Sequence, residues 1–181
     1  MRTAAATLGR ENETLDAALV QFARAGDRDA FARLHDRYSG MVHAILLARV
    51  RPTDADDLVQ DVFVAAMERL DTLRDVETFG AWLCTIARHC AADSHRRRRM
   101  TVALPGDLPH KPAPPAEALE MLEAVRAMPA AYRETMLMRF VEGMTGPEIA
   151  ARTGLTEGSV RVNLCRGMQL LRERLGAGEQ T

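Results

Sequence analysis

Four consecutive arginines, Arg96 to Arg99, close the stretch GAWLCTIARHCAADSHRRRR over residues 80–99. Drawn as a helix at ~100° per residue, this stretch places Thr85, Arg88, His89, His95, Arg96 and Arg99 on one side. Trp82, Leu83, Ile86, Ala87, Cys90 and Ala91 fall on the other. Guanidinium groups suit bidentate contacts to phosphate. A helix C-terminus favours one or two bases through its dipole, but that reason does not reach back to Arg88. A basic amphipathic helix can also lie on a membrane surface. Trp82 among small apolar residues suits packing against other helices, which favours nucleic acid as the ligand. His89 and His95 are six residues apart, ~120° around a helix, a poor spacing for one metal ion.

A second stretch has the opposite sign. DADDLVQDVFVAAMERL, residues 54–70, reads as a helix that begins after Pro52 with Thr53 as its N-cap. Ala55, Leu58, Val59, Val62, Phe63, Ala66 and Leu70 share one face, and Asp54, Asp57, Asp61 and Glu68 form a narrow carboxylate stripe beside it. Aspartate in a first turn suits the helix dipole, but Asp61 and Glu68 lie too far along for that. The stripe is either a solvated face or a dock for a basic partner. No nucleophile, histidine or metal-ligand set accompanies it, so catalysis by these carboxylates is not expected. Between the two helices, DTLRDVETFG (71–80) offers Arg74, Asp75, Glu77, Thr78 and Phe79, a set of hydrogen-bonding side chains and one aromatic ring. Such a loop could hold an extruded base, although turns are commonly polar.

The third informative stretch, TGPEIAARTGLTEGSVRVNLCRGMQLLRERL over residues 145–175, has helix-turn-helix spacing. Gly146-Pro147 starts a helix, and Ile149 and Ala150 face inward. Gly154 permits the tight turn, Leu155 is expected to plug the core, and Thr156 caps the next helix. There Val160, Leu164, Met168 and Leu171 form the inner face. Gly158, Ser159, Val162, Cys165, Arg166 and Gln169 point outward, flanked by Arg161 and Asn163. The outward residues of the first turns are those that would reach base edges in a major groove.

The elements that carry these residues fall into two helical modules. The chain has 181 residues, with 47% hydrophobic, 27% charged and only 4% aromatic. That is globular composition with a core of Ala, Leu, Val and Met. The net charge is −1, and 23 of the 24 basic residues are arginine, Lys111 being the one lysine. A uniformly basic DNA-coating protein is thereby excluded, while a local basic patch is not. Residues 1–14 read as a loose tail. Residues 15–99 form the first module, and 117–176 the second, with 177–181 as a tail begun by the helix-stopping Gly176. Between the modules, residues 100–116 hold five of the eight prolines and read as an extended linker. Each module is small and should gain stability from a partner. Alternating strand patterns are absent, so the fold class is all-α. Cys84, Cys90 and Cys165 lie in helical patterns without CxxC spacing and read as mostly buried apolar residues rather than a disulfide or zinc framework. No apolar run resembles a signal peptide or a membrane span, which places the protein in the cytoplasm without membrane insertion.

Taken together, residues 15–175 resemble a bacterial RNA polymerase sigma factor of the extracytoplasmic-function (ECF) group in the sigma-70 superfamily. The resemblance rests on the acidic-faced helix, the loop after it and the basic helix, then on MPAAYRETMLMRFVEGMTGPEIAARTGLTEGSVRVNLCRGMQLLRERL. It implies a non-enzymatic factor, with no cofactor or metal, that directs promoter-specific initiation. Asp54, Asp57, Gln60 and Asp61 would dock on the β′ clamp helices of core RNA polymerase. Arg74, Asp75, Thr78 and Phe79 would capture a flipped base of the −10 element, and Arg88, His89, Arg96 and Arg97 would hold −10 DNA as it melts. Glu157, Gly158, Ser159, Arg161, Val162, Asn163 and Arg166 would read the −35 element. The β flap would be a further polymerase contact, and an anti-sigma factor the inhibitory partner. The alternative is a stand-alone helix-turn-helix regulator, which would have no need of the acidic stripe.

Overall fold

Asp27 starts the central helix by accepting hydrogen bonds from the Asp29 and Ala30 amides at 2.9 and 3.0 Å, which satisfies two of the amide donors that a helix start leaves open. The computed structural model describes residues 15–100 and 116–178. Among them are eight α-helices and no strand. These are α1 (15–24), α2 (Arg28–Leu47), α3 (Pro52–Arg69), α4 (Phe79–Met100), α5 (Ala116–Arg126), α6 (Ala130–Phe140), α7 (Gly146–Thr153) and α8 (Glu157–Gly178). Two short 3-10 turns, Leu70–Thr72 and Val76–Thr78, join α3 to α4. No helix among the described residues is long and apolar enough to cross a membrane. Of the expected linker at 100–116, Met100 still belongs to α4 and Ala116 already opens α5, and of the expected tail at 177–181, residues 177 and 178 continue α8. Residues 1–14, 101–115 and 179–181 lie outside the described residues.

The first module is α1 to α4. The apolar face expected of α3 is buried throughout: Ala55, Leu58, Val59, Val62, Phe63 and Ala66 pack inward, and Leu70 follows in the next turn. Its start differs from expectation. Pro52 is itself the first helical residue, where its missing N–H costs nothing, and Arg51 is the cap without a side-chain bond. Thr53 therefore caps nothing; its hydroxyl donates to Asp54 at 3.4 Å. On α4, Leu83, Ile86, Ala87 and Ala91 are buried, with Trp82 and Cys90 half-buried.

The second module is α5 to α8. Thr145 and Glu148 form a reciprocal capping box at the start of α7. Gly154 ends α7 at φ +74°, a left-handed turn that residues with a Cβ rarely adopt. Thr156 accepts from the Ser159 amide at 3.1 Å and opens α8. Two expectations fail here. Leu155 is 40% exposed rather than a core plug, because the turn directs it outward after Gly154. Gly176 does not stop α8, which runs to Gly178; one glycine costs a helix only ~1 kcal/mol and does not end it alone.

The modules do not hang apart. Five consecutive residues of α2 and its cap, Ala44 to Ala48, are buried, and so are five consecutive residues of α6, Glu134 to Met138. A helix buried on all sides needs neighbours on all sides. For α2 these are α3 and α4 on one side and α6 on the other; for α6 they are α5, α7, α8 and α2. One contiguous apolar core results, running from Leu19 to Leu171. In this arrangement each small module is covered by the other.

Candidate nucleic-acid interface

The outer face of α3 carries Asp57, Gln60, Asp61 and Glu68, all exposed. Asp54 is half-buried and pairs with Arg51 at 3.4 Å. At ~100° per residue Val64 falls between Gln60 and Asp57, and Met67 beside Gln60. Val64 is 58% and Met67 52% exposed. These two exposed apolar side chains make the stripe mixed rather than uniformly charged. A mixed acidic and apolar stripe fits a protein partner with apolar and basic groups. Both residues are visible in the sequence, but a reading that sorts positions into core and charge passes over them.

The connection between α3 and α4 is shaped by its own side chains. Asp75 accepts from the Glu77 amide at 3.0 Å, and the Thr78 hydroxyl donates to the Asp75 carbonyl at 2.8 Å. Arg74, Asp75, Glu77 and Thr78 thus form an exposed polar rim. Phe79 is a correction to the expected base-binding set. It is 1% exposed, with its ring edge-on to Tyr38 at 5.1 Å and tilted against Trp82 at 5.8 Å. Burial of that ring anchors the rim to the core, so it has no face to offer a base.

The basic face of α4 is divided. His89, Arg96 and Arg97 are exposed, with Arg96 also contacting Asp93. His95 instead donates through Nε2 to the Arg49 carbonyl at 2.9 Å. Arg88 is turned toward the second module, where its guanidinium forms a fork on Glu134 of α6, Nε to Oε1 at 3.2 Å and Nη2 to Oε2 at 2.8 Å. Arg49 holds the same carboxylate. Burial alone would raise the Glu134 pKa, but the bonds and charges of Arg88 and Arg49 outweigh it and hold the carboxyl below its ordinary range.

On α8, Glu157, Gly158, Ser159, Arg161, Val162 and Arg166 are exposed. Arg166 donates to the Tyr132 hydroxyl at 3.3 Å, which steadies its long side chain without covering it. Asn163 is half-buried and donates to Thr135 of α6 at 3.4 Å, so its amide faces the module rather than a groove. Beside these residues an open hollow of about 650 Å³ separates the starts of α7 and α8. Arg139, Thr145, Pro147, Glu157 and Arg161 line it. The cysteines are less uniform than expected: Cys84 is buried, Cys90 half-buried and Cys165 exposed on the outer face of α8.

Two family models match the chain, "Sigma-70 region 2" over residues 34–101 and "Sigma-70, region 4" over residues 118–171. The ECF RNA polymerase sigma factor SigD of Mycobacterium tuberculosis is 34% identical over 184 residues, covering 92% of this chain and 86% of SigD. The ECF RNA polymerase sigma factor BldN of Streptomyces coelicolor is 32% identical over 166 residues, covering 84% of this chain. The chain spans 63% of BldN, less than two thirds of its length. A solved structure of CnrH in complex with the cytosolic domain of CnrY aligns with a TM-score of 0.61 and 28% identity, over 90% of this chain and 98% of CnrH.

Proposed function

The chain belongs to the sigma-70 family of RNA polymerase sigma factors, in its extracytoplasmic-function group, and on that premise we propose how its surfaces divide the work of transcription initiation. The α3 stripe (Asp54, Asp57, Gln60, Asp61, with Val64 and Met67) docks on the β′ clamp helices of core polymerase. The rim of Arg74, Asp75 and Thr78 takes a base of the −10 element. Arg88, His89, Arg96 and Arg97 take the phosphates of that strand as it leaves the duplex. Unpairing costs a few kcal/mol, offset by stacking and hydrogen bonding of the captured base. The exposed residues of the first turns of α8, Glu157, Gly158, Ser159, Arg161, Val162 and Arg166, lie in the major groove of the −35 duplex. The second module also meets the β flap. Phosphoryl transfer stays with the polymerase, and the chain has no catalytic role of its own.

The observation that carries this reading is the pairing in one chain of an acidic and apolar docking stripe with an exposed recognition helix. A regulator acting alone needs the second and has no use for the first. Control by an anti-sigma factor belongs to the proposal, and the complex of CnrH with a domain of CnrY supports it. The test is gel filtration with core RNA polymerase, wild type against Asp57→Arg/Asp61→Arg. Co-elution of the wild type and its loss in the folded variant are expected. A folded, inhibitor-free wild type that does not co-elute would move the assignment to a stand-alone regulator.

A further inference from the structure

The two DNA-reading surfaces lie too close together in this structure to read two promoter elements at once. A Cβ at Gly154, in the helix-turn-helix, would stand 3.3 Å from the Ala81 Cβ on α4. Three peptide units on each side of that contact, at ~3.8 Å each, keep Thr78 and Glu157 within ~30 Å of each other. Elements at −10 and −35 are about 25 base pairs apart, ~85 Å of duplex at ~3.4 Å per pair. On the functional reading above, the modules must therefore separate before both can be engaged.

What holds them closed is the apolar contact of α2 with α6 and a set of polar contacts around it. Glu134 of α6 is 8% exposed and lies between two guanidiniums of the first module, Arg49 and Arg88. His43 of α2 meets Glu142 at 2.7 Å, and Arg126 of α5 donates to the carbonyls of Leu47, at 2.9 Å, and Val50. At the other end Gly80 packs directly on the backbone of α7: a Cβ there would lie 2.1 Å from the Arg152 carbonyl oxygen. We propose that this is a self-latched state, in which Glu134 occupies the Arg88 guanidinium that would otherwise take a DNA phosphate. Carboxylate and phosphate present the same fork to a guanidinium, so opening exchanges one anion for another and leaves no bare charge on Arg88. The freed Glu134 carboxylate passes to water. The closed state withholds Arg88 and fixes the modules side by side, while the α3 stripe remains open to a docking partner.

Two variants open the latch by different means. Gly80→Ala drives a methyl group into the Arg152 carbonyl, and Glu134→Gln removes the charge that Arg49 and Arg88 share. Each full-length chain would be measured by small-angle X-ray scattering and by anisotropy with a fluorescein-labelled, random-sequence single-stranded DNA 20-mer. Both variants are expected to have a larger radius of gyration than wild type. Both should bind the oligonucleotide at least tenfold more tightly, because apparent affinity scales with the open fraction. Adding Arg88→Ala to Gly80→Ala should remove most of that gain. Variants as compact as wild type, or expanded variants with unchanged DNA affinity, overturn the latch. Co-elution of wild type with polymerase alongside that result leaves the functional reading intact. Expanded variants with the DNA gain, when no form of the chain binds polymerase, overturn the functional reading and support the latch.

Discussion

Replacing Gly154 with alanine probes the turn that sets α8 against α7. Gly154 sits at φ +74°, where a side chain costs ~1–2 kcal/mol through the clash of Cβ with the backbone. The new methyl would also stand 3.3 Å from the Ala81 Cβ, a contact that requires a shift of a few tenths of an ångström. The usual gain of a glycine replacement, a less disordered unfolded chain, applies only where the native backbone suits the new residue, which is not so here. The net loss is then ~1–2 kcal/mol, and in a chain of this size each kcal/mol lowers the melting temperature by ~2–4 °C. Calorimetry should show a fall of ~2–8 °C for Gly154→Ala. Gly143, at φ +67° with nothing within 4 Å of an added Cβ, supplies the backbone share alone. Gly143→Ala should fall less, and the difference measures the contact between modules. Asparagine, which tolerates this conformation, should recover part of the loss at position 154. A melting temperature for Gly154→Ala within 1 °C of wild type would refute the left-handed turn.

Three other expectations concern the site and its supports. Arg166→Ala removes the steadied guanidinium of α8; the loss of one bidentate base contact costs ~1–3 kcal/mol and relaxes sequence preference at one position. Selection of −35 duplexes from a random pool with the polymerase complex should show one position losing its bias, and an unchanged profile would refute its role as a base reader. Burial pushes the Cys84 thiol up to about 12, so at pH 8 a thiol-specific disulfide reagent should label Cys165 within minutes and Cys84 only after denaturation. Labelling of native Cys84 at the rate of Cys165 would contradict its burial, where its sulfur lies 3.5 Å from the Met41 sulfur. Glu148 is held below the ordinary carboxylate range by the amide and hydroxyl of Thr145. A depressed pKa contributes stability above the unfolded value, ~4.3, and loses it as pH falls through the folded value. Urea midpoints for wild type should therefore drop between about pH 5 and 3, and Glu148→Gln should flatten part of that fall; identical slopes would sink the assignment.

The sequence exposed much of what depends on neighbours three or four residues away, although the Thr53 cap and the Gly176 stop, equally local, fail. The apolar face of α3, the Thr156 cap and the Gly154 turn are all set by local spacing, and all hold in the structure. Periodicity cannot say what lies across a helix. Glu134 and Arg88 are 46 positions apart, so their ion pair leaves no mark at short range. A helix buried on every side, such as the end of α2, loses the amphipathic signal that makes a helix legible. Phe79 illustrates a different blindness. An aromatic ring at a loop's edge suits a base or a core equally, and only the Tyr38 and Trp82 rings around it decide for the core. Leu155 is the converse case, an apolar residue after a turn that ends on the surface because of the direction in which Gly154 sends the chain.

The burial of α2 against α6 has a consequence for how the protein is made. A ribosome delivers Ile45 and its neighbours about 90 residues before the whole of α6 that covers them. At ~5–20 residues per second, the back of α2 stays bare for on the order of 5–20 s. Throughout that interval the nascent first module has carbonyls at Leu47 and Val50 still waiting for Arg126, beside an uncovered apolar ridge. Newly synthesised chains are thus most prone to aggregation, and most open to capture by a chaperone, before the second half emerges.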